Sequence, residues 1–461
     1  MESEEINHVS DIKARETHRV VEFNNGTNES IDLIVPATVY PPREDTDLLL
    51  AALEKLEGGV GNAVEIGVGS GAISIALAQR GWKVRGFDVN PFAVAAARGN
   101  MESIGLTNST HIEEGGPGET GWELPRDCDL IVWNLPYLNP PGKNQPRLQP
   151  IEEAGLTDLD SKGGWSEYLR ILLSGNKQMK SDLLAVILFR SEPISPSSPN
   201  DWISSGWGAN RLARRRLGDE NLEVWAFWKP SGGVEPMIID STNSTMEEAK
   251  KLHQTDWQRV LTRTQKKGRG RRGSVWESEE GDLIGTWSAN KEILQAINPG
   301  LLQTSIGGLI SNRLDIQCKW PNDLMFDGRK IGGILLESSS DDKRIRVGVG
   351  INRKSRLLNG IPVSGWEEMS CELSYEDVFK RIDGALASAF SAHYRVPFLD
   401  KEEMLEISWK SISASLSRGV FTELNGKQVR ILGIEEKGTL EISSEINIAS
   451  TDELEQLIFS F

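Results

Sequence analysis

The 461-residue sequence contains few cysteines, no long apolar segment and no excess of basic residues. Its three cysteines, Cys128, Cys318 and Cys371, lie far apart, so the pattern supports neither a disulfide framework nor a zinc ribbon. The longest apolar runs, such as residues 183–189, are far too short to span a lipid bilayer. The N-terminus is acidic where a secretory signal would be basic and then apolar. We therefore expect a cytoplasmic protein in a reducing compartment.

The charge balance is acidic, with 51 basic and 67 acidic side chains and a net charge of −16. This balance argues against a dedicated nucleic-acid coat or a membrane-surface protein and leaves room only for local basic patches. Hydrophobic residues make up 38% of the chain and charged residues 26%, which is ordinary for a globular protein. We therefore expect folded domains rather than disorder.

The length predicts about three folding units at about 150 residues each. In the first half, short apolar runs alternate with amphipathic stretches, which predicts an α/β fold with a parallel sheet wound with helices. Short strands separated by turn pairs near the C-terminus predict a small barrel, with strands at 421–424, 428–432, 439–442 and 457–459 and turn pairs at 425–426 and 437–438. The predicted organisation is a polar lead-in over residues 1–30, an α/β domain over 31–229, a linker over 230–236, a second α/β block over 237–415 and the barrel over 416–461.

A glycine-rich turn follows an early apolar strand. Gly67, Gly69 and Gly71 separate this strand from a predicted helix, and glycines there let a ligand approach the strand end closely. Asp88 ends the next strand, where a carboxylate can hydrogen-bond a ribose. The Gly-x-Gly-x-Gly spacing, with Glu65 two residues before the first glycine, favours S-adenosylmethionine over NAD. The alternative is a purely structural turn.

A polar and aromatic turn, Asn134-Leu135-Pro136-Tyr137, ends another apolar strand. The Asn134 side chain and a neighbouring backbone carbonyl can both accept hydrogen bonds from an NH2 group, and Tyr137 offers a face for a planar amide or base. Such chemistry requires a planar amino nitrogen, as in glutamine or adenine. The alternative is a plain strand-ending turn.

Residues 35–227 resemble the HemK-type class I methyltransferases, which modify the glutamine of peptide-chain release factors. The segment 39–48 is similar to the opening motif of the eukaryotic and archaeal branch, 158–164 to the later glycine turn, and 214–222 to the closing hairpin. The resemblance implies a Rossmann-like fold, a release-factor glutamine as the acceptor and a small zinc-binding activator subunit as a partner. It implies that S-adenosylmethionine is bound by Glu65, Gly67, Gly69, Gly71, Asp88 and Asn134, and that Asn134, Pro136 and Tyr137 are catalytic.

Two positions depart from this family. Leu135 replaces a proline, and the resulting Asn-Leu-Pro-Tyr is the form found in rRNA adenine dimethyltransferases. Gly116 stands where the family has an acidic residue that contacts the adenine of the cofactor. Methylation of adenine in RNA or DNA, and a non-catalytic module, therefore remain as alternatives.

A basic and glycine-rich segment, residues 265–273, holds five cations and three glycines in nine positions. Arginines neutralise anionic oxygens and glycines let backbone amides approach them, which predicts a loop that closes over a triphosphate or an acyl phosphate. The sequence lacks the Gly-x-x-x-x-Gly-Lys-Ser/Thr pattern of a P-loop. A flexible RNA-contacting loop is the alternative.

Further motifs surround this segment: 240–243, 319–323, 330–335 and 347–352. Lys319 precedes Trp320 and Pro321, and because proline restricts the residue before it, we expect a rigidly held ammonium group. Such a group can pair with a carboxylate and an α-phosphate together and stabilise the charge that develops as they join.

This set of motifs, in this order, resembles the biotin protein ligases. The resemblance implies an α+β catalytic domain followed by an SH3-like barrel. It implies that Lys319, Arg269 and Arg271 are catalytic, with the two arginines clamping carboxylate and phosphate. It implies that biotin and ATP are bound by Ser241, Thr242, Asn243, Gln265, Gly268, Arg269, Gly270, Arg271, Trp276, Lys319, Asn322, Gly332, Gly333, Gly348, Gly350 and Asn352.

The implied reaction has two steps. Biotin and ATP form biotinyl-5′-AMP and pyrophosphate, with Mg²⁺ shielding the phosphates. A lysine of the biotin carboxyl carrier domain of a carboxylase then attacks the mixed anhydride. The sequence shows no helix-turn-helix candidate and no metal-ligand pattern, so we expect neither a DNA-binding domain nor a resident metal site.

Overall fold

The computed structural model describes residues 18–24, 30–139, 156–176, 178–252, 257–292, 297–338, 343–390, 393–424, 426–443, 448–449 and 457–460. These residues form two compact units. The first comprises the described residues up to Trp202 with Asn210–Trp228 and Tyr394–Val396, and the second comprises Ile203–Ala209, Lys229–His393 and the described residues from Pro397 onwards. No helix in these ranges is both long enough and apolar enough to cross a membrane.

The first unit contains a seven-stranded sheet flanked by helices. Its elements are β1 (His18–Asn24), β2 (Ser30–Pro36), α1 (Glu44–Leu53), β3 (Asn62–Ile66), α2 (Ala72–Gln79), β4 (Lys83–Asp88), α3 (Pro91–Ser103), β5 (Thr110–Glu114), β6 (Leu130–Asn134), α4 (Gly164–Gly175), β7 (Leu184–Glu192), α5 (Pro199–Ser204), β8 (Gly208–Leu217) and β9 (Glu220–Trp228). The strand order is β5-β4-β3-β6-β7-β9-β8. Strands β3 to β7 are parallel, and β9 is antiparallel to β7. The α/β architecture predicted for this region is therefore present.

The sequence explains why the sheet is covered on both faces. The first four residues of β6 and the first seven of β7 are buried, as expected for parallel strands with helices on each side. In α2, every residue from Ala72 to Ala78 is buried. The next helix, α3, begins at Pro91, where the side chain of Asn90 accepts a hydrogen bond from the amide of Phe92 at 3.0 Å. These features place the carboxyl ends of β3, β4 and β6 at one edge of the sheet.

The N-terminal segment differs from the prediction. Residues His18–Asn24 lie within the predicted polar lead-in, yet they form β1, which pairs antiparallel with β2. Val21 and Phe23 alternate with polar residues, and the side chain of Phe23 is buried in the core of the unit. The hydrophobic period of two therefore outweighs the polar composition of this segment.

A short segment from the C-terminal half also belongs to the first unit. Val396 is buried in its hydrophobic core. The guanidinium of Arg395 lies 4.9 Å from the centre of the Trp82 ring, and the amide of Glu57 donates a hydrogen bond to the Arg395 carbonyl at 2.8 Å. Nothing in the sequence pattern pointed to this segment.

The second unit is built on one large sheet. Its elements are β10 (Met237–Thr242), α6 (Thr245–Lys251), β11 (Trp257–Gln265), β12 (Gly268–Arg269), β13 (Val275–Trp276), β14 (Leu283–Asn290), α7 (Pro299–Leu314), β15 (Gln317–Lys319), β16 (Asp323–Phe326), β17 (Arg329–Ser338), β18 (Arg344–Ile351), β19 (Arg356–Leu358), β20 (Ile361–Val363), α8 (Trp366–Met369), α9 (Tyr375–Phe390) and α10 (Lys401–Ser417). The main strand order is β10-β11-β14-β18-β17-β16-β15, and β12 and β13 form a separate hairpin. Helix α7 packs against α9 and α10, and the three contribute to one buried core with the sheet.

The C-terminal segment forms two small antiparallel sheets, β22-β21-β26 and β23-β24-β25. Its strands are β21 (Phe421–Leu424), β22 (Lys427–Val429), β23 (Ile431–Ile434), β24 (Leu440–Ile442), β25 (Ile448–Ala449) and β26 (Leu457–Ser460). The strand predicted over 428–432 is wrong, because it is split into β22 and β23, which belong to different sheets. The first residue of the predicted turn pair 425–426 lies outside the described residues.

Candidate functional site

A cavity of about 380 Å³ lies in the second unit. It is lined by the β12–β13 hairpin, by strands β14 to β18, by the turn before α6 and by β26. The predicted site residues among its walls are Gln265, Arg269, Gly270, Arg271, Trp276, Lys319, Asn322, Gly333, Gly348 and Gly350. The fold therefore brings together residues from four separate sequence motifs.

Six predicted residues do not line this cavity: Ser241, Thr242, Asn243, Gly268, Gly332 and Asn352. The first three end β10 and enter the turn before α6, and the cavity wall is formed instead by Ser244 and Thr245, which follow them. The side chain of Asn352 is buried, and its Nδ2 donates a hydrogen bond to the carbonyl oxygen of Ser364 at 3.0 Å.

A chain of polar groups that the sequence did not reveal supports one wall. The Thr286 hydroxyl donates a hydrogen bond to the hydroxyl of Thr245 at 2.8 Å, and both side chains are buried. The amide of Thr245 donates to Oε1 of Gln265 at 2.9 Å. This bond fixes the orientation of the Gln265 amide, whose Nε2 can then only donate hydrogen bonds. This wall can therefore donate hydrogen bonds to a polar ligand such as a cyclic urea.

A flat aromatic surface forms another wall. A Cβ atom added to Gly350 would lie 2.5 Å from Cε2 of the Trp276 indole, so only glycine lets the ring lie against β18. The ammonium of Lys330 lies 5.8 Å from the centre of the same ring. A planar or apolar group can pack beside this indole.

The cavity is strongly cationic. Its lining side chains include one carboxylate, Asp323, and five cations: Arg269, Arg271, Arg272, Lys319 and Lys330. Arg269 and Lys330 are paired with carboxylates. Nη2 of Arg269 lies 2.7 Å from Oε1 of Glu247 and 3.4 Å from Oε2 of Glu337, and Nζ of Lys330 lies 2.6 Å from Oδ1 of Asp323. An anionic ligand can displace the half-exposed pairs of Arg269 at little cost.

Lys319 stands at the end of β15, inside this cavity. Its Nζ lies 6.0 Å from the centre of the Phe459 ring on β26. Nη1 of Arg271 donates a hydrogen bond to Oδ1 of Asn322 at 3.4 Å, and burial, with the neighbouring Arg272, lowers the pKa of Arg271. Phe459 and the Asp323–Lys330 ion pair were not identified as site residues from the sequence, although both members of the pair lie in motifs that it displays.

The first unit has a second candidate site at the carboxyl ends of β3, β4 and β6. Gly67, Gly69 and Gly71 have φ angles of 71°, 54° and 91°, which only glycine adopts readily. The carboxylate of Asp88 accepts hydrogen bonds from the amides of Gly69 and Asn90, both at 2.9 Å, while burial raises its pKa. This arrangement fixes the turn with a carboxylate beside it, as a ribose-binding site needs.

Glu65, which precedes the glycine-rich turn, is buried. Its side chain accepts a hydrogen bond from the hydroxyl of Ser74 on α2. Burial raises the pKa of Glu65 to about 8. In this structure the Glu65 carboxyl group therefore joins the end of β3 to α2, on either side of the glycine-rich turn.

Asn134 ends β6 beside three residues of the first unit. Its Nδ2 donates a hydrogen bond to Oδ2 of Asp45 at 3.0 Å. Tyr40 and Tyr137 lie beside this pair, and burial together with the charge of Asp45 raises the pKa of both phenols, that of Tyr40 to about 12. The guanidinium of Arg190 lies 5.6 Å from the centre of the Tyr137 ring. Asp45 was not predicted as a site residue, because it lies 89 residues from Asn134 in the sequence.

The later glycine turn has a structural role here. Oδ1 of Asp158 accepts hydrogen bonds from the amide of Trp165 at 2.9 Å and from the hydroxyl of Ser197 at 3.0 Å. Gly163 and Gly164 have φ angles of 83° and 55°. This network fixes the start of α4. In the ranges that the structure describes, no three His, Cys, Asp or Glu side chains are grouped so that they could hold a metal ion.

Protein-family models match a range of residues in each half of the chain. Residues 236–352 match the biotin/lipoate A/B protein ligase family, and residues 43–135 match the ribosomal protein L11 methyltransferase family. The first match contains all of the predicted ligase motifs, and the second contains the glycine-rich turn and Asn134.

Individual relatives divide in the same way. The bifunctional ligase/repressor BirA of Bacillus subtilis is 25% identical over 229 residues, which are 46% of this chain and 69% of the relative. The biotin–[acetyl-CoA-carboxylase] ligase of Paracoccus denitrificans is 34% identical over 142 residues, 28% of this chain and 56% of the relative. A putative protein N5-glutamine methyltransferase of Methanocaldococcus jannaschii is 38% identical over 111 residues, 24% of this chain and 53% of the relative.

The chain thus spans about half the length of the last two relatives. Its N-terminal half is similar to methyltransferases, including a putative protein glutamine methyltransferase, and its C-terminal half is similar to biotin protein ligases. Both families are enzymes, as the sequence motifs predicted.

Proposed function

We propose that the second unit ligates biotin to a lysine of a biotin carboxyl carrier domain through biotinyl-5′-AMP. The observation that carries this proposal is the cationic cavity in which Lys319, Arg269 and Arg271 meet beside the Trp276 indole. Its cations suit a carboxylate that joins a phosphate, and its polar wall at Gln265 suits the urea of biotin.

Lys319, Arg269 and Arg271 would have different roles in the formation of biotinyl-5′-AMP. Lys319 would pair with the biotin carboxylate and the α-phosphate of ATP and stabilise the charge that develops between them. Arg269 and Arg271 would hold the phosphate oxygens, once Arg269 leaves Glu247. Mg²⁺ would shield the phosphates, and Asp323 is the carboxylate of the cavity wall that could face it. The amine of the carrier lysine then attacks the acyl carbon, and AMP leaves.

The test is biotin-dependent exchange of labelled pyrophosphate into ATP. Replacement of Lys319 by Ala should lower the exchange rate about hundredfold to thousandfold, because a preorganised transition-state donor is lost. The control is Lys427→Ala, which removes an exposed lysine of β22 outside the cavity. A Lys319→Ala protein that exchanges pyrophosphate at the wild-type rate would show that Lys319 does not have this role.

We propose that the first unit transfers the methyl group of S-adenosylmethionine to a planar amide, a glutamine of a peptide-chain release factor. Asn134 carries this proposal, since its side chain lies beside two tyrosines at the strand end next to the glycine-rich turn. Oδ1 of Asn134 and the Leu135 carbonyl would each accept one N–H of the carboxamide, and Tyr137 would pack against its plane. Gly67, Gly69 and Asp88 would hold the methyl donor. A small zinc-binding activator subunit is the proposed partner, on the basis of the family resemblance.

The experiment compares two acceptors side by side. The full chain, with and without the activator, is incubated with labelled S-adenosylmethionine and either release factor or RNA. We expect label in release factor only, at a rate about hundredfold to thousandfold lower in Asn134→Ala than in the wild type. Asn139→Ala should retain activity because that side chain donates instead to the Ile194 carbonyl at 3.2 Å. Label in RNA adenine alone would refute the glutamine assignment and favour the reading based on Leu135.

The domain boundaries at 31–229, 237–415 and 416–461 also stay proposals, as does an SH3-like barrel at the C-terminus. The two small antiparallel sheets of that segment support the barrel. We propose a cytoplasmic location, where release factors and carrier domains meet these cofactors, and cell fractionation with an antibody would test it.

A further inference from the structure

The orientation of the Asn134 amide is set by one neighbour. Its Nδ2 faces Oδ2 of Asp45 at 3.0 Å. A carboxylate only accepts hydrogen bonds, so the nitrogen of the amide must face it and the oxygen must face away. Oδ1 of Asn134 is enclosed and has no hydrogen-bond partner among the described residues. Oδ1 of Asn134 is therefore a hydrogen-bond acceptor in a fixed position, and the described residues provide no donor for it.

Asp45 is itself held in place. The residue is 3% exposed, and its other oxygen, Oδ1, accepts a hydrogen bond from the amide of Thr46 at 2.7 Å. Asp45 is the second residue of α1, where the unpaired amides of the helix terminus favour a negative charge. The hydroxyl of Thr46 accepts a hydrogen bond from the Arg43 amide at 3.3 Å and closes this first turn. The carboxylate can therefore neither rotate freely nor turn to solvent.

We propose that Asp45 is the positioning residue of the methyl-transfer site: it fixes the Asn134 amide so that Oδ1, and not Nδ2, meets the NH2 group of the acceptor. This inference rests on the proposed transfer to a planar amide. With the amide reversed, two N–H donors would face each other and the acceptor nitrogen would lose a hydrogen bond. Asp45 lies in the opening motif of the sequence, residues 39–48, whose role the proposed mechanism does not otherwise explain.

The substitution Asp45→Asn tests this role with little change in shape. A carboxamide at position 45 can donate to Oδ1 of Asn134, so the reversed orientation becomes available. We expect the kcat of methyl transfer to release factor to fall about 10- to 100-fold, the range for one hydrogen bond to a charged group. The Kd of S-adenosylmethionine, measured by calorimetry, should change less than about twofold. The control Asp47→Asn removes an exposed carboxylate from the same helix turn and the same unit of charge, and should retain activity.

A double-mutant cycle separates positioning from a merely structural role. If Asp45 acts through Asn134, the double variant Asp45→Asn/Asn134→Ala should be no less active than Asn134→Ala alone. Additive losses, or Asp45→Asn at the wild-type rate, would overturn the inference.

A second measurement does not depend on the acceptor. The side-chain NH2 resonance of Asn134, assigned by its absence in Asn134→Ala, should exchange slowly with solvent in the wild type and at least tenfold faster in Asp45→Asn. Slow exchange in both proteins would show that Asp45 does not hold the amide. If the wild type methylates neither release factor nor RNA while Asp45→Asn exchanges faster, the proposed acceptors fail and the positioning contact stands.

Discussion

Nε1 of Trp320 donates a hydrogen bond to the carbonyl oxygen of Gly438 at 2.8 Å. The indole is 2% exposed and packs in a hydrophobic cluster with Ile412 and Leu440. Because Trp320 directly follows Lys319, the C-terminal sheets and α10 fix the backbone beside the lysine. A segment distant in sequence thus holds the proposed catalytic group.

We therefore predict that Trp320→Phe impairs the ligase. The Gly438 carbonyl loses its donor, and the free energy of unfolding should fall by about 1 kcal/mol. Biotin-dependent pyrophosphate exchange should fall as well, because Lys319 is less firmly placed. The control is Trp257→Phe, since the indole nitrogen of Trp257 has no partner in the described structure. Equal stability and exchange rate in Trp320→Phe and wild type would contradict this prediction.

The ion pair of Arg269 with Glu247 predicts an effect on ligand affinity. Lys250 and, more weakly, Arg269 lower the pKa of Glu247, so its carboxylate competes with an anionic ligand for the arginine. We predict that Glu247→Gln tightens binding of a non-hydrolysable biotinyl-adenylate analogue by up to about fivefold, since half-exposed pairs contribute at most about 1 kcal/mol.

Titration calorimetry at low and high salt measures this change. The gain should shrink at high salt. Glu367→Gln, which breaks the pair with Arg353 at 2.7 Å outside the cavity, should leave the Kd unchanged. Weaker binding in Glu247→Gln would show that Glu247 assists the ligand rather than competing with it.

We predict that replacing Arg313 strongly lowers the stability of the second unit. Its buried guanidinium donates hydrogen bonds to the carbonyl oxygens of Ile203 at 2.9 Å and Trp207 at 2.8 Å, and to the Ser388 hydroxyl at 2.8 Å. Burial lowers the pKa of Arg313 to about 9. Arg313→Met leaves buried acceptors without donors and should cost about 2–4 kcal/mol.

Urea unfolding measures this loss. Arg329→Met is the matched control, because Arg329 forms a half-exposed pair with Glu368 at 3.1 Å that should contribute no more than about 1 kcal/mol. A loss in Arg313→Met as small as in this control would mean that water replaces the guanidinium.

The sequence predicted those features of the two sites that lie within one continuous segment. The glycine-rich turn and the strand end at Asn134 each occupy one continuous stretch and lie at the predicted kind of element. The basic segment 265–273 was predicted as a loop, and the structure places β12 of the β12–β13 hairpin in it. That motifs far apart in the sequence form one cavity was predicted from the family resemblance and not from their spacing.

What the sequence could not predict are pairings across long separations. Asp45 meets Asn134 across 89 residues, and Thr286 meets Thr245 across 41. Phe459 reaches Lys319 only because β26 pairs with β21. Such contacts depend on how whole helices and strands pack. Asp45 lies in the first turn of a helix, where an aspartate is common, so the sequence did not mark it as a site residue.

The last prediction concerns pH and the buried carboxyl of Glu65. Its pKa rises from 4.5 to about 8 through burial, so the folded state binds a proton that the unfolded chain releases. Between these two values, stability must fall as pH rises, because the unfolded state binds fewer protons. Glu65→Gln stays neutral and can still accept the hydrogen bond of Ser74. The variant should therefore match the wild type near pH 5 and unfold at a higher temperature at pH 8. Scanning calorimetry without cofactor measures both proteins at both pH values, and Glu54→Gln, in an exposed pair with Arg80 at 2.7 Å, is the control. If the two proteins differ equally at pH 5 and pH 8, Glu65 is already ionised in the folded state and holds its place through the Ser74 hydroxyl alone.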